Sequence, residues 1–326
     1  MSSSQTSSQR QTPDYGRRLL VNIVDERAQA KPDREWVSIP RSSDPKDGWT
    51  KVTYKQAANA VNRVGHKLAS STGVPAKGDF PTIAYIGPSD VRYIVFALGA
   101  VKAGYKALFI SPRNSQEGQL NLFELTNCHT IWFEATYKDM VQSWLQERDM
   151  HAFMTFPLAA WFPEEHIEPY PYHKSFEEAE WEPLVVLHTS GSTGFPKPIV
   201  VRQGMLAIAD KYHNLGKWKG RTLWMNEMAR RATRLLLPSK LGAFIPRCMS
   251  KTNGVFAVPL FHAAGLYITM TLDLLGRFRT RPNSAQRICT SPIRRNPTTG
   301  STKAGRITSL FFRTGRSSTR LRSKPS

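Results

Sequence analysis

Thr82-Ile83-Ala84-Tyr85-Ile86, closed by Gly87-Pro88, is the stretch that decides the fold. A short apolar run bounded by turn residues reads as a strand buried on both faces. Ser89 or Asp90 can then cap a helix over 91–103, which Gly104 ends. The same pattern repeats immediately: a strand at Ala107-Leu108-Phe109-Ile110, a helix over 116–125, and a strand at Thr130-Ile131-Trp132-Phe133. Strands and helices alternating at this spacing predict a parallel sheet with crossover helices, so the fold class is α/β.

Upstream, Leu19, Leu20, Ile23 and Val24, followed by Ala28 and Ala30, have helical apolar spacing, and Trp36-Val37-Ser38-Ile39-Pro40 reads as a strand stopped by proline. A second strand, Thr50-Lys51-Val52-Thr53-Tyr54, leads into a helix with Ala57, Ala58, Val61, Val64 and Leu68 on one face. Between them Asp44-Pro45-Lys46-Asp47-Gly48 has turn chemistry, with proline fixing one φ and glycine supplying a positive one.

The chain has 326 residues, 40% of them apolar, enough for one large α/β domain or two smaller ones. Its formal net charge is +20, which by itself points to a polyanion partner. The charge is unevenly placed. Residues 277–324 hold thirteen Lys and Arg and no Asp or Glu, so most of the excess belongs to a basic, low-complexity tail over 276–326. At the other end, residues 1–14 are polar and rich in Ser and Gln, the composition of a disordered leader without the apolar core of a secretory signal. Cys128, Cys248 and Cys289 are odd in number and far apart, which excludes a disulfide framework and a compact zinc site. No window reaches the roughly 18 apolar residues of a membrane span. A cytoplasmic location with no membrane partner is the expectation.

The chemistry is carried by Pro183-Leu184-Val185-Val186-Leu187-His188, an apolar strand that runs into Thr189-Ser190-Gly191-Ser192-Thr193-Gly194-Phe195-Pro196-Lys197-Pro198. Small residues with open backbone N–H groups, the hydroxyls of Ser190, Ser192 and Thr193, and the ammonium of Lys197 are what a phosphate chain needs. Walker spacing is absent, and Pro196 with Pro198 prevents a helix from opening there. Ile199-Val200-Val201 reads as the next strand, so the loop joins two strands.

The string Thr189 to Lys197 resembles the phosphate loop of the adenylate-forming superfamily: acyl-CoA synthetases, luciferases and peptide-synthetase adenylation domains. The resemblance implies that Thr189, Ser190, Gly191, Ser192, Thr193, Gly194 and Lys197 hold the phosphates of ATP, with Mg2+, while a substrate carboxylate attacks the α phosphate to give an acyl-adenylate and pyrophosphate. Pro259-Leu260-Phe261-His262-Ala263-Ala264-Gly265-Leu266 resembles the segment lining the acyl pocket of these enzymes. Amino-acid-activating members usually carry an aspartate there. His262 cannot supply that permanent negative charge, so the implied substrate is an aryl, keto or fatty acid. Read without the motif, His262 is an ordinary core histidine.

Leu19 to Ala30, Thr53-Tyr54-Lys55-Gln56-Ala57 and Ser111-Pro112-Arg113-Asn114-Ser115 are also similar to the N-terminal part of fungal adenylate-forming reductases. The likeness covers 15–275, read as a partial AMP-binding domain, with 239–258 as a possible non-family insert. The family's Tyr-Gly-x-Thr-Glu stretch, its ribose-binding Gly-Asp, its hinge and its C-terminal lysine have no counterpart. A phosphopantetheine serine and the carrier and reductase domains are missing as well. A truncated fragment, impaired or inactive, is therefore expected. The alternatives are a non-catalytic basic protein binding polyanions through 277–324, or a degraded gene copy or faulty gene model. Specific nucleic-acid recognition is disfavoured, because the tail lacks interleaved aromatics for base stacking.

Other candidate residues have ordinary readings. The acidic residues between Glu164 and Glu182 share no helical face and read as a solvated connector rather than a general acid–base pair. Cys128 beside His129 reads as packing rather than a nucleophile and base, and Trp218 and Trp224 as packing anchors.

Overall fold

The computed structural model describes residues 14–42, 47–189, 194–214, 217–218, 221–222, 266 and 270. The leader before Asp14, the positions Ser190 to Thr193, His262, Trp224, the expected insert 239–258 and the tail 276–326 lie outside the described residues.

Helix α1 (Leu20–Ala30) is followed by strands β1 (Glu35–Pro40) and β2 (Trp49–Thr53), which pair antiparallel. Gly48, at the end of the expected turn, has φ +85°. Helix α2 (Tyr54–Thr72) starts from a capping box: the Thr53 hydroxyl accepts from the Gln56 N–H, and the Gln56 amide oxygen accepts from the Thr53 N–H. There follow β3 (Thr82–Ile86), α3 (Arg92–Lys102), β4 (Lys106–Phe109), α4 (Gln116–Leu125), β5 (Thr130–Phe133), α5 (Lys138–Glu147) and β6 (His151–Met154). After a long connector with a one-turn helix α6 (Phe176–Ala179) come β7 (Pro183–His188), β8 (Pro198–Arg202), α7 (Gln203–Asp210) and the short pair β9 (Lys217–Trp218) and β10 (Arg221–Thr222).

The main sheet has the order β6-β5-β3-β4-β7-β8. Its first five strands are mutually parallel, as the alternating pattern predicts. β8 follows β7 across the loop, as the reading of that loop as a joint between two strands expects. It returns antiparallel to β7, because a short loop can only reverse the chain, whereas a parallel return needs a crossover.

Alternation along β3 sorts its side chains to opposite faces. Ile83 and Tyr85 pack with α1, α2 and α3, while Ala84 and Ile86 pack with Phe123 of α4 and Val141 and Trp144 of α5. The sheet is thus the middle of three layers, which is why β3 is buried along its whole length. Helix α3 is also buried throughout, and its two charged ends need partners. Arg92 is clasped by the Asp90 carboxylate, whose Oδ1 also accepts from the Arg92 N–H. Lys102 donates to Asp25 and to the Asn62 amide oxygen. Gly104 ends α3 as expected, with φ +83°.

The acidic connector is solvated as read, with Glu164, Glu165, Glu168, Glu177 and Glu178 exposed, and it is also tied to α2. Gln56 donates to the Glu164 carboxylate, Asn59 to the Glu165 carbonyl, and the Asn62 amide oxygen accepts from the Tyr170 N–H. Three polar side chains of α2 thereby strap 164–170 across that helix, and Glu182 ion-pairs with Lys174. Among the described residues no helix is long and apolar enough to cross a membrane.

Candidate functional site

In an open α/β sheet, ligands bind beyond the carboxyl ends of the parallel strands, where backbone N–H groups and connecting loops converge. Here those ends are the loops after β3, β4, β5 and β7. The β7 end carries Thr189 directly after the buried strand. The Thr189 N–H donates to the Lys197 carbonyl at 3.0 Å, and the Lys197 N–H donates to the Thr189 hydroxyl oxygen at 3.0 Å. These two bonds close the base of the loop and bring Thr189 and Lys197 together. Thr189, Gly194 and Lys197 are all exposed, so these three are open to a ligand.

The Thr189 hydroxyl oxygen is occupied as an acceptor by Lys197 N–H, which leaves its own O–H to donate outward. Gly194 has φ +143°, a conformation that L side chains rarely adopt, and a Cβ there would meet no atom within 4 Å. A hydroxyl donor, an ammonium and open backbone at one bend fit a phosphate chain. Ser190, Gly191, Ser192 and Thr193 complete the expected set but lie outside the described residues, as does His262.

Two residues that the sequence did not single out hold this bend in place. His188, the last residue of β7, is 7% exposed. Its Nε2 accepts from the Ser111 N–H at 3.0 Å, and its Nδ1 lies 2.8 Å from the Thr189 carbonyl. Both contacts are satisfied only by a neutral ring with its proton on Nδ1. Burial lowers the pKa of His188, although the bond to the Thr189 carbonyl opposes the shift.

Ser111 is itself anchored, since its carbonyl accepts from Gln119 Nε2, whose amide oxygen accepts from Trp144 Nε1. The second is Gly118 in the first turn of α4. A Cβ on Gly118 would lie 3.0 Å from Cδ of the buried Pro196, so the descending arm of the loop rests directly on that helix. A histidine ending an apolar strand just before a glycine-rich loop was the available signal for His188. Its partner at Ser111 could not be read from spacing.

Cys128 is fully buried, burial pushes its thiol up to about 11, and its sulfur donates to the Thr130 carbonyl. The neighbouring His129 is exposed and contacts Asn127 instead. That is ordinary packing, as expected. Among the described residues no group of three or more His, Cys, Asp or Glu side chains could hold a metal ion.

The sequence model of the AMP-binding enzyme family matches residues 24–277. This chain belongs to that family. It is 59% identical over 266 residues to the carboxylic acid reductase of Neurospora crassa, covering 81% of this chain and 23% of that protein. It is 32% identical over 267 residues to the isocyanide synthase-NRPS hybrid crmA of Aspergillus fumigatus, covering 80% of this chain and 16% of that one. The chain therefore spans about a quarter or less of either relative.

Among solved structures, the inhibitor-bound N-terminal domain of FACL13 from Mycobacterium tuberculosis superposes with a TM-score of 0.56 at 16% identity, over 81% of this chain and 57% of that one. The luciferase-like enzyme of the mealworm Zophobas morio gives 0.55 at 14%, over 82% and 55%. At such identities these two show a shared fold.

Proposed function

We propose that the bend from Thr189 to Lys197 grips the phosphates of ATP, accompanied by Mg2+, and that the reaction it serves is activation of a carboxylic acid. The observation carrying this reading is the paired Thr189–Lys197 closure at the carboxyl end of β7, with both side chains exposed at one bend. Lys197 supplies charge and the Thr189 hydroxyl supplies a hydrogen bond, while His188 and Pro196 hold the two arms at fixed positions. Ser190, Gly191, Ser192 and Thr193 extend the same donor set, and none of these residues is assigned to the metal.

The acid is proposed to be aryl, keto or fatty, on the ground that His262 stands where an ammonium-binding carboxylate would be needed for an amino acid. Turnover by these 326 residues is proposed to be weak, because the sequence lacks counterparts of the family's adenine, ribose and C-terminal lysine motifs. One lost preorganised donor raises a barrier by about 3 kcal/mol.

Acid-dependent exchange of labelled pyrophosphate into ATP, measured over a panel of benzoic, keto, fatty and amino acids, tests the reading. The expected result is Mg-ATP binding with exchange far below that of a family member containing all the motifs. Full exchange would overturn the impairment, preference for an amino acid would overturn the substrate class, and loss of both binding and exchange would overturn the whole reading.

A further inference from the structure

A cavity of about 230 Å3 lies between the C-terminal end of α1 and the segment before it, lined by Tyr15, Arg18, Arg27, Ala30, Lys31 and Arg34. Four of its six walls are cations and none is a carboxylate. The helix macrodipole accounts for a basic residue at the end of α1. It does not account for Arg18, which precedes α1, or for Arg34, which follows it, converging on the same space.

Two of the guanidiniums are held in place. Arg18 donates twice to Asp210, at 2.9 and 2.5 Å, and lies 4.7 Å from the Tyr15 ring. Arg27 donates to the Tyr54 hydroxyl at 3.1 Å and lies 5.5 Å from the centre of its ring. Lys31 and Arg34 are exposed at the rim. Asp210, fully buried beneath Arg18, and Glu26, whose charge also acts on Arg18, do not line the cavity.

Gathering like charges around one hollow costs repulsion unless an anion offsets it. Guanidiniums oriented before binding lose little freedom when they bind a planar or tetrahedral oxyanion. The volume falls below the roughly 300–1,000 Å3 of sites for drug-sized ligands.

We propose that this cavity is a binding site for a small multiply charged anion of the phosphate class, separate from the Thr189–Lys197 bend and sharing no residue with it. The ligand's charged oxygens engage Arg18 and Arg27 within, and Lys31 and Arg34 close over them from the rim.

Calorimetric titration of the full chain with inorganic tripolyphosphate tests the proposal. A Lys197→Ala background keeps binding at the nucleotide loop from being counted. Expected is a site of one-to-one stoichiometry that weakens at least tenfold in the added Lys31→Glu/Arg34→Glu pair, at exposed positions where the fold is not at stake. The added change Ala30→Asp, which places a carboxylate in the cavity and removes no cation, should weaken it comparably. Circular dichroism and the melting temperature serve as controls for both. Affinity unchanged by Ala30→Asp and by the rim pair, or no saturable site at all, would overturn the proposal.

Discussion

His188 Nε2 accepts the Ser111 N–H at 3.0 Å, joining the end of β7 to the turn after β4 across 77 residues of chain. With Nδ1 against the Thr189 carbonyl, the ring is the only side chain among the described residues that bonds both loops. If the nucleotide bend depends on this neutral ring, then His188→Phe, which fills the space and removes both bonds, should weaken Mg-ATP binding. It should also destabilise the fold by about 1–3 kcal/mol by leaving the buried Ser111 N–H without a partner. Chemical denaturation and calorimetric titration read the two effects separately; unchanged nucleotide affinity would remove the positioning role.

The same histidine gives the stability a pH dependence whose sign is fixed. Its pKa is lower folded than unfolded, so the unfolded chain binds more protons as pH falls. The His188 contribution is complete above the ordinary histidine value near 6.5 and is lost progressively as pH falls from there through its lower folded value. Denaturation midpoints at pH 7.5, 6.5 and 5.5 should decline toward acid, and His188→Gln should flatten part of that decline. A wild-type slope identical to that of the variant would contradict the assignment.

Gly118→Ala separates helix stability from loop placement. Alanine favours the helix by about 1 kcal/mol, but its Cβ would press on Pro196 Cδ and on the Ser115 hydroxyl. The melting temperature should change little while Mg-ATP affinity falls severalfold. Equal affinity would show that the Pro196 arm can shift freely.

Asp210, fully buried at the end of α7, accepts from the Gly16 N–H as well as from Arg18. Burial works against the Arg18 charge, yet the hydrogen bonds and charge of Asp210 outweigh it and raise the guanidinium pKa. Asp210→Ala therefore leaves a half-buried cation and an amide without their acceptor, with an expected loss of about 3–5 kcal/mol. A loss below about 1 kcal/mol in urea unfolding would show that water or another group replaces the carboxylate.

Much of this was legible because local pattern and tertiary context agreed. Thr82 to Ile86 is apolar on both sides and became a central strand; Ser115 caps a helix over the very residues 116–125 that were expected. Helix α5 and strand β6 were not read. α5 buries only Val141 and Trp144, and β6 is an edge strand with His151 and Met154 exposed, so neither presents a full apolar stripe.

The connector's acids are solvated as their pattern suggests, but the bonds that tie it to α2 were not legible, because Gln56 and Asn59 lie more than a hundred residues upstream. At the candidate site the residue types of the bend were legible, along with its place between two strands. What holds it was not, since His188 and Gly118 act through Ser111 and Pro196, which only the folded sheet brings near.

Titration of the full chain with Mg-ATP, wild type against Lys197→Ala, tests the central claim most directly. A charge-assisted hydrogen bond contributes about 1.5–3 kcal/mol, so the account predicts saturable binding that weakens tenfold or more in the variant while the melting temperature stays unchanged. Superimposable isotherms, or no binding by the wild type, would contradict it.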